Sequence, residues 1–322
     1  MTAFVFLIVG IALLLAGGTS LVRGASGVAS SFGISPLIIG LTVVAFGTSA
    51  PELVVTLVSA ARGYSGLAFG NVVGSNLANL GLVLGLSALV TPIAMHGDLV
   101  RREVPFLLLV TCITLVVCAE GATSAQAGQL DRAEGLVLLL LFLGFLYVTY
   151  LVTRARIEDP VIQGVQQLPV DPPRNGRNWI STIAGALLLA IGGHLTTTYG
   201  AELAQQLGFA PVVVGLLIVA VGTSLPELTC SIIAAVKSEP DLCVGNVVGS
   251  NLFNSLLVLP AGALLRPMTI PENGLIDLGL TLGFAAALIP IFIFGRSRLG
   301  RPAGCLLLGA YLAFATTRIA YA

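Results

Sequence analysis

Two glutamates draw attention because each lies inside a strongly apolar stretch and ends the same short motif. Glu52 ends Gly-Thr-Ser-Ala-Pro-Glu, and Glu227 ends Gly-Thr-Ser-Leu-Pro-Glu. A carboxylate among apolar residues is costly unless it meets a partner, and a structural partner on a neighbouring element is one possibility. A matched second occurrence is hard to attribute to packing alone. We therefore predict that both carboxylates bind a cation.

The residues just before Glu52 add further oxygen atoms. On a helix, Thr48 and Ser49 lie four and three residues before Glu52 and share its face. Because Pro51 has no N–H, the carbonyl four residues earlier loses its donor, and the helix is predicted to bend or open there. That break is predicted to free backbone oxygens near Ala45 to Gly47, because Gly47 is the residue that loses its donor. The same arrangement precedes Glu227, with Thr223, Ser224 and Pro226.

A second motif, Gly-Asn-Val-Val-Gly-Ser-Asn-Leu-x-Asn, also occurs twice. Asn71, Ser75 and Asn79 are spaced at i, i+4 and i+8, so they form one polar stripe on a helix. Gly70 and Gly74 form a small-xxx-small pair, which lets another helix approach closely. The second copy has Asn246, Ser250 and Asn254 in the stripe and Gly245 and Gly249 as the pair. We expect the stripes to face the glutamates.

These oxygens suit a hard cation. Ca²⁺ takes 6–8 oxygen ligands from carboxylates, carbonyls and amides, and two glutamates would neutralise its charge. Zinc, copper and iron centres favour His or Cys ligands, which neither motif contains. Charge alone leaves the ion open, because one Ca²⁺, two Na⁺ or two protons all balance two carboxylates. No resident cofactor is predicted.

The sequence does not favour an enzyme. It contains no His-Glu-x-x-His motif, no evident Ser–His pairing and no paired aspartates of the kind that catalysis requires. The formal net charge is zero, which gives no sign of a nucleic-acid partner. No obligatory protein partner is indicated either, so the predicted partners are cations and the lipid bilayer.

The two copies of each motif belong to one internal duplication. Residues 40–53 and 215–228 are identical at ten of fourteen positions, and residues 70–80 and 245–255 at nine of eleven. Both pairs share one offset, since 215 − 40 and 245 − 70 are both 175. Pairs of Gly/Pro-interrupted apolar segments at matching positions of two halves mark the ion sites of secondary transporters with inverted repeats.

The elements that position these residues are predicted to be membrane helices. Hydrophobic residues make up 56% of the chain and charged residues 9%, whereas soluble domains carry about 25% charged residues. Apolar runs long enough to cross a bilayer lie at roughly 3–22, 34–61, 67–90, 104–119, 133–153, 179–198, 208–236, 242–265, 274–294 and 302–320.

These ten spans predict an all-α integral membrane protein made of two five-helix repeats of inverted topology, with broken helices at the centre. The N-terminal repeat covers 1–154, a linker covers 155–177, and the C-terminal repeat covers 178–322. With the N-terminus outside, eleven basic residues fall on the cytoplasmic side and four outside. Because cytoplasmic loops are enriched in Lys and Arg, we predict a multi-pass protein of the plasma (cell inner) membrane with a cytoplasmic linker.

The doubled motifs resemble those of the calcium/cation antiporter superfamily, whose sodium/calcium exchangers carry paired repeats reading G-T-S-x-P-E and G-N-x-x-G-S-N. The resemblance is strongest over residues 33–90 and 208–265. It implies antiport by alternating access, in which two outer helices slide across a core bundle. It implies these ion ligands: Thr48, Ser49, Glu52, Ser75, Asn79, Thr223, Ser224, Glu227, Ser250 and Asn254, with the backbone carbonyls of Ala45 and Ala220 for sodium.

One difference from the family bears on the driving ion. Many sodium/calcium exchangers have an aspartate at one of the positions matched by Asn79 and Asn254, whereas this chain has asparagine at both. Proton-coupled relatives usually show G-N-A-x-E where this chain has G-T-S-x-P-E, so the resemblance predicts exchange of Ca²⁺ for Na⁺, with exchange for H⁺ or transport of another divalent cation as the alternative. A cation channel of similar architecture is a further possibility. A channel would let Ca²⁺ move without a counter-ion gradient, whereas an antiporter would not.

Overall fold

The computed structural model describes residues 2–94, 99–120, 128–157, 175–206, 222–295 and 297–320. Most of these residues are helical. In chain order the helices are α1 (Thr2–Phe32), α2 (Pro36–Thr48), α3 (Ala50–Ala61), α4 (Ser65–Val90), α5 (Val104–Ala119), α6 (Arg132–Ile157), α7 (Asn175–Gln206), α8 (Leu225–Val236), α9 (Pro240–Leu265), α10 (Gly274–Phe294) and α11 (Arg301–Ala320).

The all-helical, membrane-spanning character predicted from composition is confirmed. Within the described ranges, seven helices are long and apolar enough to cross a bilayer, and the bent pair α2–α3 would make an eighth. The predicted span 208–236 lies partly outside the described residues. α8 is the part of this span that the structure describes. The predicted span 302–320 corresponds to α11. The ten-span arrangement thus stays a prediction.

The centre of the protein is formed by α4 and α9, which carry the two Gly-Asn-Val-Val-Gly-Ser-Asn motifs. Of their most apolar 18 residues, 78% and 94% are buried, whereas the other candidate spans are only 28–39% buried. Helices hidden from lipid on all sides need small and polar residues that fit against neighbouring helices. Their sequences meet that need, and they place the polar stripes inside the bundle.

The helices α1 and α7 pack closely against each other through glycines. Gly10 lies against Gly192, and Gly17 lies against Gly185, so the two helices run antiparallel. A Cβ atom built on Gly17 would come within 2.9 Å of the Gly185 carbonyl oxygen, which leaves no room for any side chain. The antiparallel pairing agrees with corresponding helices that run in opposite directions through the membrane.

Both of these helices are longer than the sequence predicts. α1 continues to Phe32 instead of ending near residue 22, because Ala25, Val28 and Ala29 beyond Arg23 are buried in the core. α6 ends at residue 157 and α7 begins at residue 175, so the predicted linker 155–177 has three helical residues at each end. Residues 158–174 lie outside the described ranges.

Two short pairs of strands connect the first half of the sequence to the second. The strand β1 (Ile93–Ala94) pairs antiparallel with β4 (Arg298–Leu299), and β2 (Gln129–Leu130) pairs antiparallel with β3 (Met268–Thr269). Each pair joins a loop of one half to a loop of the other, so the two halves contact each other through their loops as well as in the core.

Candidate functional site

The first Gly-Thr-Ser-x-Pro-Glu motif bends a helix, as the sequence predicts. α2 and α3 meet at Ser49 with an angle of 46° between them. Ser49 has φ −83° and ψ 3°, and its counterpart Ser224, just before α8, has φ −87° and ψ 7°. The second motif therefore has the same local conformation, although the segment before residue 222 lies outside the described residues.

Of the backbone oxygens near Ala45 to Gly47 that the sequence predicts to be free, the oxygen of Ala45 is paired, so the prediction is wrong for that carbonyl. Its oxygen accepts the Ser49 N–H at 2.9 Å and the Thr48 hydroxyl at 3.3 Å. The physical reason is that Pro51 removes only the donor to the carbonyl four residues before it. Ala45 is paired instead with Ser49, which keeps its N–H. The matching residue Ala220, also predicted as a ligand, lies outside the described residues.

The two predicted glutamates are fully buried, each in the first turn of its helix. Glu52 is the third residue of α3 and Glu227 is the third residue of α8, and both are 0% exposed. The N-terminal end of a helix favours a negative charge. The Oε1 atom of Glu52 accepts the Ser75 hydroxyl at 3.3 Å, and that of Glu227 accepts the Ser49 hydroxyl at 3.2 Å. The Oε2 atom of each finds no hydrogen-bond partner among the described residues.

The threonine and serine hydroxyls join the two halves. Thr48 lies 3.3 Å from the Ser250 hydroxyl, and the equivalent pair in the other direction, Ser75 and Thr223, lies 3.4 Å apart. Thr48 also donates to the Asn246 side-chain oxygen at 3.0 Å. Hydroxyls of the Gly-Thr-Ser-x-Pro-Glu motif in one half thus contact the polar stripe of the other half. The spacing within each motif did not predict these contacts between halves.

Asn79 and Asn254 are held at the centre by a second pair of asparagines. The Asn79 amide nitrogen donates to the Asn251 side-chain oxygen at 3.1 Å, and the Asn254 amide nitrogen donates to the Asn76 side-chain oxygen at 3.1 Å. Each of these contacts joins α4 to α9. With both nitrogens occupied, the side-chain oxygens of Asn79 and Asn254 are buried and accept no hydrogen bond within the described part of the chain.

The asparagines that open the stripes fix the backbone at the glutamates. Asn71 donates to the Glu52 carbonyl at 3.2 Å, and Asn246 donates to the Glu227 carbonyl at 3.3 Å. Each also donates to a hydroxyl one turn further along α3 or α8. These contacts position the first turn that carries the carboxylate.

The central asparagines each begin a π-helical turn, a feature that the sequence analysis missed. These turns cover Asn79–Val83 and Asn254–Val258, and a third covers Gly40–Val44 before the bend. A π-turn inserts an extra residue into a helix and leaves a gap in its hydrogen-bond ladder, and such turns often occur at functional sites. Repetition at equivalent positions shows that the helix distortion belongs to the duplicated design.

The glycine pair of the second stripe behaves as predicted. A Cβ on Gly245 would lie 3.1 Å from the Gly40 Cα, and one on Gly249 would lie 2.7 Å from the Leu41 Cα, so α2 contacts α9 closely. Nothing described lies within 4 Å of a Cβ on Gly70 or Gly74. Gly245 and Gly249 contact residues 40 and 41, and the residues that correspond to 40 and 41 in the second repeat are 215 and 216. The predicted partner of Gly70 and Gly74 therefore lies outside the described residues.

The described residues therefore collect a set of buried oxygens around two carboxylates. Five buried side-chain oxygens of this set have no hydrogen-bond partner there: Oε2 of Glu52 and Glu227, Oδ1 of Asn79 and Asn254, and Oγ of Ser224. Buried polar atoms in folded proteins nearly always have a partner, so unpaired ones call for an explanation. No cluster of three His, Cys, Asp or Glu occurs among the described residues.

A comparison with known proteins identifies the family. The model of the family described as "Sodium/calcium exchanger protein" matches residues 2–151 and 177–320. The chain belongs to the sodium/calcium exchanger family. It is therefore a membrane cation antiporter and not an enzyme, as the sequence predicts. The two matched ranges of this sodium/calcium exchanger family member are separated by residues 152–176, which nearly coincide with the linker 155–177 predicted from the sequence.

Individual relatives support this assignment over the whole length. The antiporter is 36% identical to "Putative antiporter CaxA" of Alkalimonas amylolytica, over 98% of each chain. It is 35% identical to "Inner membrane protein YrbG" of Escherichia coli (strain K12), covering 96% of this chain and 94% of that protein. A solved structure of the sodium-calcium exchanger NCX_Mj superposes with a TM-score of 0.82 at 30% identity, covering 97% of each chain.

Proposed function

We propose that this protein exchanges Ca²⁺ for Na⁺ across the membrane by alternating access. The ions would bind at a central site built from both copies of both motifs. The observation that carries this proposal is the set of unpaired buried oxygens on Glu52, Glu227, Asn79 and Asn254. All of these oxygens could coordinate a bound cation, whereas in an empty site each oxygen would lack a partner.

The charge of the site favours a divalent cation or its equivalent in monovalent ions. Glu52 and Glu227 supply two negative charges, and the other proposed ligands are neutral hydroxyls, amides and carbonyls. One Ca²⁺ or two Na⁺ would leave no net charge in this buried place. The two ions also share oxygen ligands. Competition for one set of oxygens is the simplest way to couple their movements.

The proposed architecture is the one predicted from the sequence. Ten helices would form two inverted repeats, with the N-terminus outside and the linker in the cytoplasm. The antiparallel packing of α1 on α7 and the likeness to NCX_Mj support this arrangement. Both glutamates are 0% exposed, so an ion could leave only after helices move.

Sodium is the preferred counter-ion because both motifs are of the Gly-Thr-Ser-x-Pro-Glu type, and because NCX_Mj is named as a sodium-calcium exchanger. Exchange with protons is the second candidate, since two glutamates could each carry one. A channel is the third, and it would pass Ca²⁺ without any counter-ion gradient.

The test is ⁴⁵Ca²⁺ uptake by purified protein in liposomes. One batch is loaded with Na⁺, a second with K⁺, and a third with K⁺ under an imposed pH gradient. The proposal predicts uptake in the Na⁺-loaded liposomes alone. Uptake driven by the pH gradient would replace Na⁺ with H⁺ as the counter-ion. Equal uptake in every batch would indicate a channel and would contradict the proposal.

A further inference from the structure

A basic cleft lies between α1 and α7, away from the buried glutamates. It has a volume of about 620 Å³ and is lined at one end by Arg23 of α1 and by Arg177 and Asn178 of α7. The other end reaches Leu15 of α1. Arg23 follows Leu15 by eight positions on α1, which corresponds to about 12 Å along the helix axis. The cleft is therefore basic at one end and apolar at the other.

The two arginines of the cleft have no acidic partner among the residues that the structure describes. Both are exposed, and neither makes a hydrogen bond or an ion pair with the described part of the chain. Arginine side chains that face one cavity from two helices repel each other unless an anion lies between them. Guanidinium groups also match phosphate oxygens through paired hydrogen bonds. The missing partner thus has the chemistry of a phosphate.

A third cation lies beside the cleft. Lys237, which follows α8, donates to the carbonyl of Thr19 on α1 at 3.2 Å. Burial lowers the pKa of Lys237, the positive charge of Arg23 lowers it further, and Glu239 acts in the opposite direction. The residues Arg23, Arg177 and Lys237 come from three helical segments. All three belong to the end of the bundle that the distribution of basic residues assigns to the cytoplasm.

The walls of the cleft offer additional hydrogen-bonding groups. The Ser20 hydroxyl bridges α1 and α7 by donating to the Ser181 carbonyl at 3.0 Å. Next to Arg23, Gly24 meets α7 so closely that an added Cβ would lie 2.5 Å from the Thr182 backbone nitrogen. The backbones of α1 and α7 are therefore in contact at the basic end of the cleft. At the other end Leu15 is 57% exposed, so the apolar part of an occupant would lie along it among lipid chains.

We propose that this cleft binds an anionic phospholipid of the cytoplasmic leaflet, with its phosphate between Arg23 and Arg177 and its first acyl carbons along Leu15. Basic pockets between membrane helices are known to hold acidic lipid head groups. The negative charge of the lipid would relieve the repulsion between the two arginines, and its contacts with both helices would stabilise the packing of α1 on α7. A free phosphate shares the head-group chemistry but would leave the apolar end of the cleft unfilled.

The experiment measures lipid binding and thermal stability of the full-length protein in a neutral detergent. Dioleoyl phosphatidylglycerol is compared with dioleoyl phosphatidylcholine and with inorganic phosphate. The variants are Arg23→Gln, Arg177→Gln and the double variant, and Arg62→Gln, an exposed arginine of the opposite loops, is the matched control. These substitutions are on the surface, so each variant should fold. Bound lipid is counted by native mass spectrometry, which does not depend on transport.

We expect phosphatidylglycerol to remain bound and to raise the melting temperature of the wild type and of Arg62→Gln. The double variant should bind it at least about tenfold more weakly, because it loses hydrogen bonds to a charged group from two residues. Equal binding by the double variant would overturn the proposal. So would an equal stabilisation by inorganic phosphate, which would make the cleft a site for a free anion. Neither result depends on which ions the antiporter exchanges.

Discussion

The side-chain amide of Asn254 donates to the side-chain oxygen of Asn76, 3.1 Å away, although the two residues belong to opposite halves of the sequence. Asn79 and Asn251 form the same contact in the other direction, also at 3.1 Å. Because each nitrogen is occupied, the amide oxygens of Asn79 and Asn254 are the atoms left to face an ion. Asn76 and Asn251 thus orient two proposed ligands without being ligands themselves.

Replacing Asn76 by Leu should therefore weaken ion binding. The amide of Asn254 would lose its acceptor and could rotate its NH₂ group toward the ion. We expect the KM for Ca²⁺ to rise up to about tenfold, the value of one net hydrogen bond, with a smaller change in the maximal rate. The measurement is ⁴⁵Ca²⁺ uptake over a range of Ca²⁺ concentrations.

The control for this substitution is Thr111→Val. Thr111 is also buried, but its hydroxyl donates only to the carbonyl of Leu107 in its own helix α5. This variant should leave the KM for Ca²⁺ unchanged. If both variants raised the KM equally, a general loss of packing would explain the result, and the orienting role of Asn76 would be rejected.

The serines of the two bends should respond differently to replacement by alanine. The Ser49 hydroxyl donates to Glu227 at 3.2 Å, whereas the Ser224 hydroxyl is buried without a partner among the described residues. Ser49→Ala should lower the stability of the ion-free protein by about 1.5–3 kcal/mol, the range for hydrogen bonds to a charged group. Ser224→Ala should leave it nearly unchanged. Thermal unfolding without Ca²⁺ or Na⁺ measures the difference.

Addition of Ca²⁺ then tests whether Ser224 is a ligand. An ion that binds only the folded state stabilises it, and the stabilisation grows with the logarithm of the ion's affinity once the ion is in excess. We expect the rise in melting temperature with Ca²⁺ to be smaller in Ser224→Ala than in the wild type. An undiminished rise would mean that the Ser224 hydroxyl does not contact the ion.

The glycines between α1 and α7 should not tolerate even one methyl group. At Gly17 a Cβ would lie 2.9 Å from the Gly185 carbonyl oxygen, so Gly17→Ala must push the helices apart. We expect a lower melting temperature and slower exchange. Gly144→Ala is the control, since nothing described lies within 4 Å of a Cβ there. That variant should be neutral or slightly stabilised, because alanine favours helix more than glycine does.

Equal melting temperatures for Gly17→Ala and Gly144→Ala would contradict the close packing of α1 on α7. Both variants replace glycine by alanine, so the chemical change is the same. A difference between their melting temperatures therefore reports the contact with the neighbouring helix.

The family, the helical membrane architecture and the bend at Ser49 could be predicted because each leaves a local signal in the sequence. Apolar length indicates a span, and a proline at the fifth position of the Gly-Thr-Ser-x-Pro-Glu motif indicates a bend. The doubled glutamates indicated where the site would lie. All of these signals follow from the residues themselves and from their spacing along one helix.

The contacts between halves could not be read in this way. That Thr48 would meet Asn246 and Ser250 depends on how α2 packs against α9. Spacing within one motif says nothing about that packing. The residue spacing of the motif likewise gives no sign of the π-turns at Asn79 and Asn254.

One signal was present and overlooked. Gly10 and Gly17 of α1 match Gly185 and Gly192 of α7 at the same offset of 175 residues that relates the motifs, since 185 − 10 and 192 − 17 are both 175. The seven-residue spacing places both glycines of a helix on one face. Extending the repeat to these positions would have predicted the close contact between the two helices.

The most direct test of the central claim is Na⁺-driven ⁴⁵Ca²⁺ uptake by Glu52→Gln and Glu227→Gln in liposomes, beside wild type and Glu272→Gln. Glu272 lies exposed in a loop and serves as the control for loss of one carboxylate. We predict that each buried variant inserts normally but loses uptake, whereas Glu272→Gln keeps it. Wild-type uptake in either buried variant would contradict an ion site that depends on both glutamates.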